Sequence, residues 1–354
     1  MNHQAANPCV GDAQEQAVIV AGLGAVSPAG WGVPALMSAL EAGAPLPVRE
    51  IAWPGHDRRL KARTVPVPNQ RPAILAHPRL RRASPITGHA VAAALEALGD
   101  DASKIKDLGA RFGILFCVMA GGMSYSRRFF DEVLRQPGLA SPLLFPETVF
   151  NAPASHLSAV LETTALNYTF VTDAGGFLQA AGEAGHWLLS GKMDACLVVA
   201  AEELDWSLAC GFRHYSRQLI LAEGAGAVYL KRGSRRGQVC LDAVTHARPF
   251  SRRQPPVAAL AAVRNDLPSA QPGELLCDSR QGLDSLDGVE KAAWAHWKSA
   301  RLSPKIVLGE GLAAASAWQW VAAAAVLRAG RHPAAVISAC GPNQQAIAAR
   351  LVRG

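Results

Sequence analysis

Charge is scarce in this sequence. Asp, Glu, Lys and Arg make up 18% of its 354 residues, while half of the residues are apolar. A chain of this length can bury a large core. With so little charge, part of its apolar surface is expected to lie in a subunit interface. No run of eighteen apolar residues occurs, so no membrane span is expected. The stretch 1–16 lacks the apolar region of a signal peptide and reads as a flexible tail on a cytoplasmic protein. Cys-x-x-Cys is absent. The seven cysteines, at 9, 117, 196, 210, 240, 277 and 340, are scattered without metal spacing, so no metal is expected and buried reduced thiols are. The basic residues lack aromatic interleaving, so the net charge of +7 does not point to nucleic acid, and an acidic protein partner accounts for it equally well. The run Gly22-x-Gly24-x-x-Ser27-Pro28 lacks the third glycine of a dinucleotide loop, and proline stands where a helix should open. No cofactor is expected.

What is present centres on 165–203. The run 168–172 is β-rich, 178–189 has helical apolar periodicity, and 195–200 reads as a buried strand. Between the first two lies the elbow Thr172-Asp173-Ala174-Gly175-Gly176. Such an elbow sets one side chain at a helix N-terminus, where free N–H groups and the dipole favour negative charge. It is a place for an acyl-transfer nucleophile, yet it holds Ala174.

The pattern Thr172-Asp173-Ala174, a helix, Ser190-Gly191-Lys192-Met193-Asp194, an apolar strand and Glu202-Glu203 resembles the β-ketoacyl-ACP synthase family. That family carries Thr-Ala-Cys at the elbow, with the turn glycine seventeen residues after the cysteine; Gly191 stands seventeen after Ala174. The stretch Gly22 to Gly30 is similar to the family's opening strand, and 222–230 to its glycine turn into a strand. The resemblance spans about 17–353 and implies an α/β, thiolase-like fold: two pseudo-symmetric βαβ-rich halves, 17–237 and 238–354, in a layered α-β-α-β-α arrangement. Helices are expected at 33–42, 84–98, 126–134, 290–299 and 313–329, and strands at 112–118, 239–244, 273–277, 305–308 and 334–340. The Pro- and Arg-rich stretch 49–82 is expected to be irregular. It reads as a solvated loop or, at Arg58, Arg59, Lys61 and Arg63, as a dock for an acidic carrier protein.

Synthases of this family condense acyl chains with one cysteine and two histidines. The cysteine position is Ala174. Counting back from Asp287 and Glu290, the first histidine position is Ser279. In Lys305-x-x-x-Gly309 followed by residue 310, the second histidine position is Glu310, and Lys305 is a retained supporting residue. The closing oxyanion loop corresponds to 339–344, where Pro342 has no N–H to donate. A serine and an anionic carboxylate cannot replace two histidines that donate to developing negative charge.

Three readings follow. The first is a chain-length-factor-like subunit without its own activity. It would pair with an active ketosynthase, or with itself, through 168–172, with acyl carrier protein as a further partner, in fatty-acid, polyketide or aryl-polyene synthesis. Ala174 departs from the glutamine of the aromatic-polyketide factors. In such pairs the inactive subunit shapes the chain tunnel, and Met123, Tyr125, Phe129, Phe130 and Phe150 are its candidates here. The second is an acyl-transfer or hydrolytic enzyme rebuilt on Asp173, Ser279, Glu310 and Cys277. The third is a homodimeric protein that binds an acyl or carrier ligand.

Overall fold

The computed structural model describes residues 16–68, 72–251, 253–341 and 345–354. Of the expected tail only Gln16 is among them, and it already belongs to the first strand. The chain runs β1 (Gln16–Ser27), β2 (Gly30–Trp31), α1 (Val33–Ala42), β3 (Arg49–Ala52), β4 (Arg59–Arg63), α2 (Pro85–Leu98), α3 (Ile105–Leu108), β5 (Phe112–Val118), α4 (Met123–Arg135), α5 (Ala152–Val160), β6 (Leu166–Val171), α6 (Gly175–Leu189), β7 (Ala195–Glu202), α7 (Trp206–Tyr215), β8 (Leu221–Ala222) and β9 (Gly224–Ser234). It continues with β10 (Val239–Val244), β11 (Arg248–Pro249), α8 (Pro256–Asp266), β12 (Leu275–Cys277), α9 (Asp284–Ala293), β13 (Arg301–Leu302), α10 (Pro304–Leu308), α11 (Ala313–Arg328), β14 (Ala334–Cys340) and β15 (Gln345–Arg353).

The main sheet has the order β13-β12-β14-β15-β10-β1-β9-β7-β5-β6. Read outward from its middle, each side repeats the other. β1 and β10 pair antiparallel to their outer neighbours β9 and β15, and those pair antiparallel to β7 and β14. The last three strands on each side are parallel. Helices α6 and α11 pack on each other and on strands from both sides, α2 covers β1, β9 and β7, and α8 covers β15. This is the expected α-β-α-β-α layering of a thiolase-like fold.

Small residues make the layering possible. Helix α11 is almost wholly buried and alanine-rich, with Trp318 and Trp320 filling the space between. The Trp318 indole N–H is shared by the carbonyls of Val26 (3.1 Å) and Ala225 (3.0 Å). Gly22 and Gly24 face α2 so closely that a Cβ on Gly22 would lie 1.7 Å from the Ala97 carbonyl oxygen. Close helix-to-strand packing, not a nucleotide, explains those glycines.

Three expectations are corrected. Residues 305–308 form helix α10, not a strand, because Pro304 opens a helix at its first position and the three-residue apolar run 306–308 carries no period of its own. The helix expected at 290–299 is α9, which ends at Ala293. The stretch 49–82 is not wholly irregular: β3 and β4 pair antiparallel, and β4 continues onto β8.

Candidate functional site

The elbow after β6 places Ala174 at the N-cap of α6, fully buried. The turn is tight enough that a Cβ on Gly176 would meet the Thr172 side chain at 1.9 Å. The Ala174 carbonyl accepts the Ser316 hydroxyl of α11. Beside it, Asp173 is sealed from solvent. Its Oδ1 accepts the Gly175 N–H at 3.0 Å and the Gln345 amide at 2.7 Å. A Cβ on Gly341 would come within 2.1 Å of its Oδ2, so the start of the closing loop rests on this carboxylate. The expected role of Pro342 lies outside the described residues.

Ser279 follows β12. Its hydroxyl donates to the Ser338 carbonyl at 2.7 Å and accepts the Cys340 N–H at 3.1 Å, so it ties two strand ends together. Glu310 is buried as well. One of its oxygens accepts the Lys305 ammonium at 2.8 Å and the Gln281 side-chain amide; the other accepts the Leu312 N–H at 2.8 Å. Leu312 sits at φ 51°, a left-handed conformation rare for a leucine, and the Glu310 carboxylate holds it at the head of α11. Burial alone pulls the Lys305 pKa down, but the paired Glu310 carboxylate more than offsets this and the net shift is upward. Asp287 accepts the N–H groups of Gln281 (2.7 Å) and Gly282 (2.9 Å), which fixes the loop that carries Gln281.

These groups converge. The Cys340 thiol, pushed up to about 12 by burial first, also feels Glu290, Lys305, Asp173 and Glu310. Cys277 is buried and raised well above a normal thiol, so neither cysteine supplies a thiolate near neutral pH. The polar groups at the three positions matched to the family's catalytic residues are engaged in holding the fold: Ser279 and Glu310 through their side chains, Ala174 through its backbone. Removing Glu310 leaves Lys305 buried and unpaired. Glu310→Ala will therefore cost about 3–5 kcal/mol in urea unfolding, and Lys305→Met in the same chain will recover part of that loss. A double variant no more stable than Glu310→Ala counts against the pair as the cause.

The Glu202 and Glu203 carboxylates organise the neighbouring wall. Glu202 accepts the N–H groups of Met119 (2.5 Å) and Ala120 (3.1 Å), and Glu203 those of Ile86 (3.0 Å) and Ser124 (2.7 Å). Burial raises Glu202 to about 8. A carboxyl raised on folding stabilises most below its unfolded pKa and loses that contribution as pH climbs through its folded one. Stability should thus decline from about pH 5 to pH 8. Glu202→Gln, which cannot ionise, will gain on wild type across that window in unfolding titrations; a pH-independent difference refutes this.

Met119 and Met123 form one side of an apolar cleft of about 460 Å³ whose other side is α7, with Leu208, Phe212 and Tyr215. Burial first, then the nearby Cys340 and Glu310, raises the Tyr215 phenol, which links the cleft to the degenerate centre. Of the five tunnel candidates only Met123 lines this cleft. Tyr125 and Phe129 are half-buried, the latter with its ring 5.6 Å from that of Phe145. Phe130 and Phe150 face outward, 59% and 42% exposed, among Leu134, Leu139, Leu143 and Phe145. Both are exposed in the single chain and do not line its interior. The α7 wall was missed, although its apolar residues at 208, 212 and 215 have helical spacing.

Arg58, Arg59 and Lys61 are exposed as expected of a dock. Arg59 and Lys61 share a cleft of about 240 Å³ with Arg213 and Arg217, which sequence reasoning did not single out. Arg63 is corrected: it is 8% exposed and its Nε–H donates to the Leu46 carbonyl at 2.8 Å, so it belongs to the interior and not to a docking surface.

Neither a family model nor a curated relative matches the sequence. Solved structures do. A β-ketoacyl synthase from Burkholderia phymatum superposes with a TM-score of 0.82 at 18% identity, covering 96% of this chain and 100% of that one. The ketosynthase ApeO in complex with its chain length factor ApeC from Xenorhabdus doucetiae gives 0.75 at 15% identity, over 98% and 100%. AntDE:AntF, a type II PKS acyl-carrier protein in complex with its ketosynthase bound to the hexaketide, gives 0.77 at 18%, over 96% and 99%. The chain therefore has the thiolase-like fold of these proteins along nearly its whole length.

Proposed function

We propose that this chain is a non-condensing, chain-length-factor-like subunit that pairs with an active ketosynthase in fatty-acid, polyketide or aryl-polyene-type synthesis. The observation that carries this reading is Glu310. At the position where a synthase needs a donor to developing negative charge, the chain has a buried carboxylate neutralised by Lys305. Ala174 and Ser279 support it, since neither presents a free nucleophile or a proton-donating imidazole.

The surface supports pairing. β6 ends the sheet, with Tyr168 and Val171 exposed, and α4 with the segment behind it adds the outward apolar face. An open strand edge, and exposed phenylalanines and leucines, are surfaces that natural proteins cover. Two of the similar structures are complexes, one of a ketosynthase with a chain length factor and one with an acyl-carrier protein. The cleft of Arg59, Lys61, Arg213 and Arg217 suits such an acidic carrier.

The test is co-expression with an intact Cys-His-His ketosynthase from the same source, followed by affinity purification through a tag on this chain. A stoichiometric complex is expected. A chain that is monomeric by light scattering at micromolar concentration and recovers no ketosynthase sinks the reading.

A further inference from the structure

Arg63 is largely buried, has no counter-charge among the described residues, and opens with its guanidinium onto a cleft. It closes β4, and its side chain runs inward to Gly309; a Cβ on that glycine would lie 3.4 Å from Nη1. Apart from the Nε–H bond to Leu46, its guanidinium has no hydrogen-bond partner and no ion-pair partner among the described residues. Desolvation lowers its pKa, yet a guanidinium stays protonated throughout the working range. Burying an uncompensated charge is expensive, and proteins pair such groups or give them a ligand.

The guanidinium lines a cleft of about 230 Å³. Pro45, Ile220, Leu283 and Ile306 supply apolar walls, and Gln218 lines the cleft as an exposed residue whose side-chain amide has no hydrogen-bond partner among the described residues. Lys305 also borders the cleft, but its charge is already answered by Glu310. The site therefore offers one positive charge, a planar pair of amino groups and a hydrocarbon lining. The volume equals that of about eight liquid waters.

We propose that this cleft is a binding site for a short-chain monocarboxylate, whose carboxylate is gripped by the terminal amino groups of Arg63 and whose hydrocarbon tail lies against Ile220, Leu283 and Ile306. One net charge selects a monoanion over phosphate or sulfate, and the guanidinium fork matches a carboxylate in two-point contact. This site is separate from the apolar cleft at α7 and does not depend on the pairing with a ketosynthase.

The probe is sodium propionate, titrated by calorimetry and by thermal melting into the full chain, or into its complex if it purifies as one. Sodium phosphate and sodium chloride at equal ionic strength are the controls. For so small a ligand a Kd on the order of a millimolar is expected. Propionate should raise the melting temperature saturably and the salts should not. Arg63→Met should weaken binding at least tenfold. Because that variant alters the interior, Gln218→Glu is the second: it changes an exposed side chain, sets a carboxylate at the mouth, and should abolish propionate binding in a folded protein. No binding to wild type, or undiminished binding in Gln218→Glu, overturns the site. Phosphate binding as tightly as propionate overturns the selection of a monoanion.

Discussion

Purified alone and incubated with acyl-CoA, acyl-ACP and a malonyl donor, the chain will form no covalent acyl adduct and no condensation product. Turnover is expected to lie at least about 10⁴-fold below that of an intact synthase, the scale on which losing a nucleophile and its partners acts together. Each position argues for this by its chemistry. Ala174 has no nucleophilic atom, and its site at the head of α6 is closed to solvent. Ser279 is held by the Ser338 carbonyl and the Cys340 N–H. Glu310 is an acceptor held by Lys305 where a donor is needed. Restoring the thiol alone will not restore chemistry. In Ala174→Cys the sulfur would stand beside the buried Asp173 carboxylate, which opposes thiolate formation, and no imidazole would assist the enolate. Intact-mass analysis after incubation tests both proteins. A stable adduct on any serine or cysteine of the wild-type chain, together with product, would put the rebuilt-enzyme reading ahead of the non-condensing one.

What the sequence made legible was whatever depends on local chemistry. The elbow of Gly175 and Gly176, the buried run 195–200 and the glycine spacing at 22 and 24 each dictate close packing through residue size alone, and each stands where it was read. The register from Ala174 to Gly191 carried the fold because α6 and the turn after it leave no room for an insertion. The failures share a cause: they are facts about the third dimension. Residues 306–308 are as apolar as a strand, and only Pro304 before them and Gly309 after them mark a single helical turn. Arg63 sits in a basic run with Arg58, Arg59 and Lys61; alternation along β4 sends Leu60 and Ala62 inward and Arg59 and Lys61 out, and the burial of Arg63 breaks that alternation at the strand's end. Arg213 and Arg217 join the same cleft from more than a hundred residues away, which no local pattern announces. The degenerate centre was visible as three missing residues, but not as a set of new bonds. That Glu310 holds a strained Leu312, or that Asp173 supports Gly341, needs the coordinates.

The aromatic residues of α4 and the segment behind it carry the second large expected effect. Phe130 and Phe150 were read as tunnel lining, and in the single chain they face water beside Leu134, Leu139 and Leu143. A helix with no fully buried residue, carrying two adjacent phenylalanines, offers an apolar face of the kind that a partner subunit covers. Phe130→Asp should therefore leave the isolated chain folded, with a change within about 0.5 kcal/mol. It should weaken the complex with the ketosynthase by at least about 30-fold, the scale of an aromatic hot spot of 2 kcal/mol or more. Phe129 and Phe150 are the discriminating pair. Phe129 packs against Phe145 with the rings tilted at 58°, and Phe150 packs over Gly121. If this face also walls the partner's growing chain, Phe129→Ala and Phe150→Ala will keep the complex assembled while shifting its products toward longer chains, read by mass spectrometry of the co-expressed pair. If it serves only to hold the subunits together, the two substitutions will lower the yield of complex and leave the length distribution unchanged. Unaltered affinity in Phe130→Asp would place the interface elsewhere and remove the physical reason for this exposed apolar face.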